Sequence, residues 1–354
     1  MKKLDRYIMA HIFGLTAIVA MALLAIHTFI TFVAELDETG RGGFGYRQLF
    51  IYTLWLMPTG LYVMLPIIAM LGTLMGLGTL AAQSELTAMR AAGVSLLRIG
   101  VSTLAAGLVL GLLALLLGDW LAPRGQFEAE SLKTEARSGV KAGLGGKAVW
   151  LREGDHFFYI RRLLAEDRIG AVDIYTLGPD LNLQSATVVD DGVYRDGRWQ
   201  FSGVKRTEFG PQDATVTEMA TLEWQGSLSP EVLRLFVLEA DALSMAGLTR
   251  LIGYMNTNNL DSREYALALA RKLVAPFTVM AMMLFAVPFV LGPLRTAGAG
   301  QRLFIGVLIG LGFYVLNEVS ANTGQLYGWN PLISAAAPTL AFALFAVWRL
   351  NTIR

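Results

Sequence analysis

The stretch Ile8–Val33, IMAHIFGLTAIVAMALLAIHTFITFV, runs for 26 residues without an acid, a lysine or an arginine. Crossing the apolar core of a bilayer takes about 20 helical residues. Lys2 and Lys3 precede the run, and Ala20-Met21-Ala22 mimics a cleavage site. The run is nevertheless longer than the roughly 7–15 apolar residues of a signal-peptide core, so it reads as an uncleaved membrane helix. Five more apolar stretches follow, at Leu49–Leu80, Leu96–Leu117, Leu273–Leu291, Leu303–Ser320 and Pro331–Val347. The second exceeds what a perpendicular crossing needs, and Pro58 and Pro66 are expected to kink it. The plan is therefore six spans, three before and three after a long central segment.

Composition agrees. The chain has 354 residues, of which 54% are hydrophobic and 16% charged, and its mean hydropathy is +0.50. Soluble domains carry about 25% charged residues. Net charge is +1, which points to neither nucleic acid nor an acidic partner. The absence of cysteine excludes a disulfide, a thiolate zinc site and a cysteine nucleophile.

Orientation follows from the loops. With the N-terminus inside, the inner segments carry Lys2, Lys3, Arg6, Arg90, Arg98, Arg295, Arg302, Arg349 and Arg354, and the short outer loops only Arg41 and Arg47. The loop between spans two and three is then cytoplasmic. The central domain lies outside, in the periplasm of a Gram-negative cell. Lys133, Arg263, Arg271 and Lys272 run against this bias, near outer membrane ends.

The segment from Ala148 to Trp224 alternates in short runs: Val149–Arg152, Phe157–Arg161, Ala171–Leu177, Leu183–Val189, Trp199–Phe201, Val204–Phe209 and Thr215–Leu222. Gly178-Pro179-Asp180, Asp191-Gly192 and Asp196-Gly197 read as turns between them. Many short strands predict a sandwich or jelly-roll, either a small cap or a groove for an apolar ligand or an edge strand. A helical pattern returns from Asp241 to Tyr265, broken at Asn256–Asn259, with Asp261-Ser262 placed to cap the next helix. The organisation is 1–135 for the first three spans, 136–240 for the β domain and 241–354 for a connecting helix and the last three spans.

No enzyme site is legible. Gly143-Leu144-Gly145-Gly146-Lys147 lacks the spacing and following hydroxyl of a phosphate-binding loop and reads as a linker. His11, His27 and His156 are scattered, and no metal site is expected. Span interiors are nearly free of ionisable groups. Asp119 and Glu318, with Asn317 beside the latter, sit near outer ends. A proton- or sodium-coupled carrier needs such groups at mid-membrane, so uphill movement would draw on a partner. The short inner loop holds a candidate coupling helix. Ser84 is placed to cap a helix over Glu85–Ala92, Gly93 to end it, Glu85 suits its positive end, and Leu86 and Met89 give an apolar edge beside Arg90. The plainer reading is a helical connection. Glycines four apart, Gly72 and Gly76, Gly107 and Gly111, Gly306 and Gly310, predict close helix packing within the chain or with a second subunit.

These residues carry a resemblance. Leu4-Asp5-Arg6-Tyr7-Ile8, Leu77-Gly78-Thr79-Leu80-Ala81, Ser84-Glu85-Leu86, Met89-Arg90-Ala91-Ala92-Gly93, Ala122-Pro123, Asp241-Ala242-Leu243-Ser244 and Gly292-Pro293-Leu294-Arg295 resemble the LptF/LptG permeases of the lipopolysaccharide export ABC transporter, the LptG branch more closely. The resemblance covers essentially the whole chain. It implies a membrane α-helical fold with an inserted periplasmic β-jelly-roll domain and a non-catalytic permease. The implied partners are an LptF-like sister permease, a dimeric cytoplasmic LptB-like ATPase holding ATP and Mg, a single-span LptC-like regulator, an LptA-like periplasmic bridge, and lipopolysaccharide. It implies no cofactor on this chain and no nucleic acid. Ser84, Glu85, Leu86, Met89, Arg90 and Gly93 would couple to the ATPase. The first and fifth spans would line lateral gates, each beside the other subunit's fifth or first. Lys133 and Lys272 match basic positions of the family; with Arg271, Arg263 and Arg41 they are candidate contacts to lipid phosphates. This chain departs from some relatives in carrying Thr31, Asp37 and Glu38 where those have lysines, and Glu130 at another basic position. The alternatives are an ABC-type mechanotransmission protein that carries no substrate, an envelope scaffold and, more distantly, a secondary carrier.

Overall fold

A computed structural model describes residues 3–138, 148–165, 167–180, 182–210, 212–226, 228–236, 238–292 and 297–352. The glycine linker 143–147 and Pro293, Leu294 and Arg295 lie outside the described residues, as do Lys2 and Arg354. The chain forms two compact units, one of Met1–Thr31, Leu56–Gly125 and Ala266–Arg354, the other of Phe32–Trp55 and Gln126–Tyr265.

Six helices are long and apolar enough to cross a membrane. They are α1 (Lys3–Ala34), α2 (Tyr46–Ala82), α4 (Leu96–Leu116), α8 (Arg263–Leu291), α9 (Ala299–Tyr327) and α10 (Pro331–Thr352), with the short α3 (Glu85–Ala91) between α2 and α4. α4 runs on through a π turn at Leu117–Leu121 into α5 (Ala122–Ser138). α2 continues through Pro58 and Pro66 as one helix. The helices outrun the apolar stretches. α8 begins at Arg263 rather than Leu273, and α9 ends at Tyr327 rather than Ser320. A helix keeps its backbone bonds internally whatever its side chains meet, so polarity marks the apolar zone and not the helix end.

The three glycine pairs pack within the chain. A Cβ on Gly72 would fall 2.5 Å from the Cα of Thr16, and one on Gly76 3.0 Å from the Cα of Ile12, so α1 lies directly on α2. A Cβ on Gly107 would meet Met280 Cα at 3.3 Å, and one on Gly111 Pro276 Cα at 3.1 Å, which brings α4 onto α8. Gly306 and Gly310 receive the side chains of Leu71, Leu74 and Ile67 of α2. Around these notches Ile8, Ile12, Leu74, Leu77, Leu80, Leu86, Met282 and Val287 form a continuous buried core.

The second unit is built on one antiparallel sheet in sequential order, β1 (Val149–Glu153), β2 (His156–Ala165), β3 (Arg168–Leu177), β4 (Leu183–Arg195), β5 (Arg198–Phe209) and β6 (Ala214–Trp224). All connections between neighbours in the sheet are hairpins, whereas a jelly-roll in the strict sense also has Greek-key crossings. In a flat sheet the first and sixth strands would stand about 24 Å apart. Here the Trp224 indole N–H of β6 donates to Glu153 Oε2 of β1 at 2.8 Å. Its ring also lies edge-on against His156 and Phe158 of β2. The sheet is therefore rolled, closing at that end around Phe158, Ile160, Val172, Ile174, Val189, Trp199, Phe201 and Val204.

The expected strand limits need correction. Trp199–Phe201 and Val204–Phe209 belong to one strand, and Asp191-Gly192 lies inside β4 rather than in a turn. Along β3, β4 and β5 the inward side switches parity: Ile174 and Val172, then Ile169; Ser185, Thr187 and Val189, then Gly192; Trp199 and Phe201, then Val204. Ala171 and Gly203 sit at the switch with φ of +51° and +67°. A left-handed residue rotates the following strand segment, so strict alternation cannot continue across it. Asp196 and Gly197, both left-handed, make the tight β4–β5 turn as predicted. β6 leads through α6 (Pro230–Leu235) to α7 (Met245–Thr257). The Ser244 hydroxyl caps α7 by accepting from Gly247 N–H. The Tyr254 hydroxyl of α7 donates to the Arg152 carbonyl of β1 at 2.9 Å. Burial, with Glu153 nearby, pushes that phenol up, so it stays a donor.

Candidate functional site

The first candidate is the turn between α2 and α4. Ser84 does not cap α3 with its side chain. It adopts a left-handed φ of +63° that reverses the chain between the two helices. Gly93, at φ +86°, ends α3 as expected, with its N–H on the Arg90 carbonyl and that of Val94 on the Met89 carbonyl. Ser95 then caps α4 through Arg98 N–H. Leu86 turns into this chain's own core and Met89 packs against it, which fixes the orientation of α3. Arg90 remains exposed, Glu85 is half-covered, and Leu86, Thr87, Arg90 and Ala91 line a cavity of about 350 Å³ with Ala81, Val290 and Leu291. Glu85 accepts from the Tyr7 hydroxyl of α1 at 2.8 Å, a contact that spacing alone did not reveal.

The second candidate is the set of basic residues, and every one of the five is engaged within the chain. Lys133 on α5 pairs with Glu35 at the end of α1 at 2.6 Å and lies over the Tyr52 ring. Tyr52 also donates to Glu35. Arg41 pairs with Glu38 at 2.9 Å, and Arg137 reaches the same glutamate at 3.1 Å. Arg263 pairs with Asp261, whose carboxyl it holds down at about 2; that carboxylate also accepts Arg263 N–H at the start of α8. Arg271 pairs with Glu318 at 3.1 Å. Lys272, only 3% exposed, donates to the Gly118 carbonyl in the π turn and lies over the Tyr62 ring. The acidic departures from the family pattern thus have a structural counterpart: Glu38, and Glu35 close by, balance basic side chains on neighbouring segments. Arg47 stays exposed.

The third feature is coverage of the spans. Only 6% of the apolar window of α1 and 17% of that of α9 is buried, with 28% for α10, against 67% for α2 and 61% for α8. Ile18, Met21, Ile26, Phe29 and Ile30 of α1 and Phe304, Leu308, Leu311 and Val315 of α9 are exposed. Among the described residues no group of acids, histidines or cysteines is arranged to hold a metal.

The family described as lipopolysaccharide export system permease LptF/LptG matches residues 6–352. The chain is 32% identical over 352 residues to the lipopolysaccharide export system permease protein LptG of Escherichia coli strain K12, covering 98% of this chain and 97% of that one. It is 30% identical over 353 residues to the protein of the same name from Haemophilus influenzae, covering 99% of both.

Proposed function

The chain belongs to the LptF/LptG family of lipopolysaccharide export system permeases, and from that membership we propose that it is the membrane subunit through which lipopolysaccharide leaves the inner membrane. The observation that carries the mechanism is the uncovered state of the first and fifth spans. These are the two helices that would line lateral gates against a sister permease. Their exposed apolar faces fit a lipid entering sideways, since aliphatic side chains and acyl chains are equivalent solvents for one another.

In this reading the N-terminus and α3 face the cytoplasm and the rolled sheet faces the periplasm. A dimeric ATPase docks on α3. Ser84 and Gly93 set the direction of that helix, Glu85 and Arg90 present charge to the ATPase, and Leu86 and Met89 root the helix in the core. Hydrolysis on the ATPase would move α3, narrow the cavity between the subunits and drive the lipid toward the β domain. A periplasmic bridge would receive it there, with a single-span regulator beside the gate. Lys133, Lys272, Arg271, Arg263 and Arg41 would meet lipid phosphates by exchanging their present carboxylate or carbonyl partners. ATP and Mg belong to the ATPase.

Purification of the tagged protein from its native host in mild detergent, followed by mass spectrometry, tests this reading. Lipopolysaccharide, a second permease and a soluble ATPase should co-elute. An ATPase without lipid would favour mechanotransmission, and neither one would favour a scaffold. In the purified complex, Glu85→Lys should lower lipid-coupled ATP hydrolysis at least tenfold or prevent ATPase assembly. Unchanged hydrolysis and export would remove Glu85 from the coupling role.

A further inference from the structure

We propose that Asp5 and Tyr7, on the first two turns of α1, are positioning residues that carry movement of α3 into the first membrane span. The proposal rests on the exporter reading above, in which α3 meets the ATPase and α1 lines a gate.

The geometry ties the start of α1 to both flanks of α3. On one flank the Tyr7 hydroxyl donates to Glu85 Oε2, the first residue of α3, at 2.8 Å. On the other, Asp5 Oδ1 accepts from Arg98 Nε at 3.4 Å, from Arg98 Nη2 at 3.5 Å and from the Ser102 hydroxyl at 3.1 Å, on the first turns of α4. Only Ala92–Ser95 separates α3 from α4. The His11 ring packs on the Tyr7 ring at 4.4 Å, with Nδ1 against the Tyr7 carbonyl, which orients the phenol. Beneath these polar ties Ile8 and Ile12 share the buried core with Leu80 and Leu86. Farther along, α1 turns its exposed face outward at Ile18, Met21 and Ile26. A displacement of α3 therefore reaches α1 at one end, through directional bonds, while the gate-lining part of the helix is unobstructed on its outer side.

The tie is compatible with docking. A carboxylate accepts at both oxygens, so Glu85 can hold the tyrosine and meet a donor on the ATPase together. An exposed hydrogen bond adds little to stability, so removing this one should alter transmission and leave the fold standing.

The test uses the complete complex in proteoliposomes and reads lipopolysaccharide released per ATP hydrolysed. Tyr7→Phe should leave ATPase assembly and basal hydrolysis within about twofold of the unaltered protein and lower that ratio at least fivefold. Asp5→Asn should act in the same direction. Glu85→Gln, which still offers tyrosine an acceptor, should depress hydrolysis itself and so differ from Tyr7→Phe. An unchanged ratio in Tyr7→Phe and Asp5→Asn would overturn the proposal. Loss of assembled complex in Tyr7→Phe would also overturn it, because the contact would then be structural. If the unaltered complex hydrolyses ATP and releases no lipid, the exporter reading falls, and this inference with it.

Discussion

Leucine in place of Gly72 should prevent the membrane unit from assembling. A bare Cβ at that position already presses on the Thr16 hydroxyl and lies 2.5 Å from the Thr16 Cα. The obstruction is backbone, which cannot rotate aside. Added methylenes in a packed core cost about 1–3 kcal/mol even where side chains can adjust. Here α1 would have to leave α2 altogether, stripping cover from Ile8, Ile12 and Leu74. The loss should reach at least about 3 kcal/mol, a change of more than a hundredfold in the folded population. Accumulation in membranes and the thermal midpoint of the monodisperse peak in detergent would report it. Gly14→Leu on α1, the other helix of the pair, is the control, since nothing lies within 4 Å of a Cβ there. Equal accumulation of both variants would mean that the α1–α2 notch does not hold the unit together.

Trp199→Ala should open the β unit. The side chain is 1% exposed, and its indole N–H donates to the Leu228 carbonyl at 2.7 Å. Tyr194 and Phe201 flank the ring at 5.1 and 6.4 Å between centroids. Removing a buried tryptophan costs about 3–5 kcal/mol. Cleavage within the strands of the full-length protein under native conditions should speed up by between about a hundred and several thousand fold, because the susceptible population tracks local opening. Trp199→Phe keeps the apolar bulk and leaves only the Leu228 carbonyl without its donor, so its effect should be much smaller, about 1 kcal/mol. Comparable proteolysis of Trp199→Ala and the unaltered protein would show that the roll does not depend on this residue.

The six spans were legible because a bilayer imposes one rule on long stretches. Their ends were not. Arg263 to Lys272 and Ala122 to Ser138 are helical without being apolar, so hydropathy closes each span too early. In the sheet the same mismatch has another cause. The alternating runs begin at Ala171, stop at Val189 and break after Phe201, along the line where parity switches. No periodicity template contains a left-handed residue inside a strand, so β3 and β5, which hold Ala171 and Gly203, looked like fragments. Asp191-Gly192 carries a turn dipeptide, yet its glycine is required by packing: a Cβ there would lie 2.8 Å from the Phe201 ring and 3.0 Å from Ile169.

The site was half legible. Glycine and serine around α3 marked a chain reversal, and the left-handed φ of Ser84 shows that the backbone, rather than the hydroxyl, does the turning. The direction of Leu86 required the fold, because a seven-residue helix has too few turns for its apolar side to be assigned. The cations were visible one by one, but their partners were not. Glu35 stands 98 residues from Lys133 and Glu318 47 from Arg271. Sequence distance hides such pairs, and a lysine read alone looks available when it is already engaged.

That engagement changes what an anionic headgroup would encounter. A bare cationic patch gathers mobile ions from solution, and a phosphate that binds it sets those ions free, which makes the affinity fall steeply as salt is added. Lys133 and Arg41 carry tethered counterions of their own, Glu35 and Glu38. A phosphate, if it were to bind there as proposed, would trade places with a carboxylate that cannot diffuse away, and few mobile ions would be released. Capture would then respond only weakly to ionic strength, and the displaced glutamate would stand ready to push the headgroup off again, making this end of the first helix a place of passage rather than of storage.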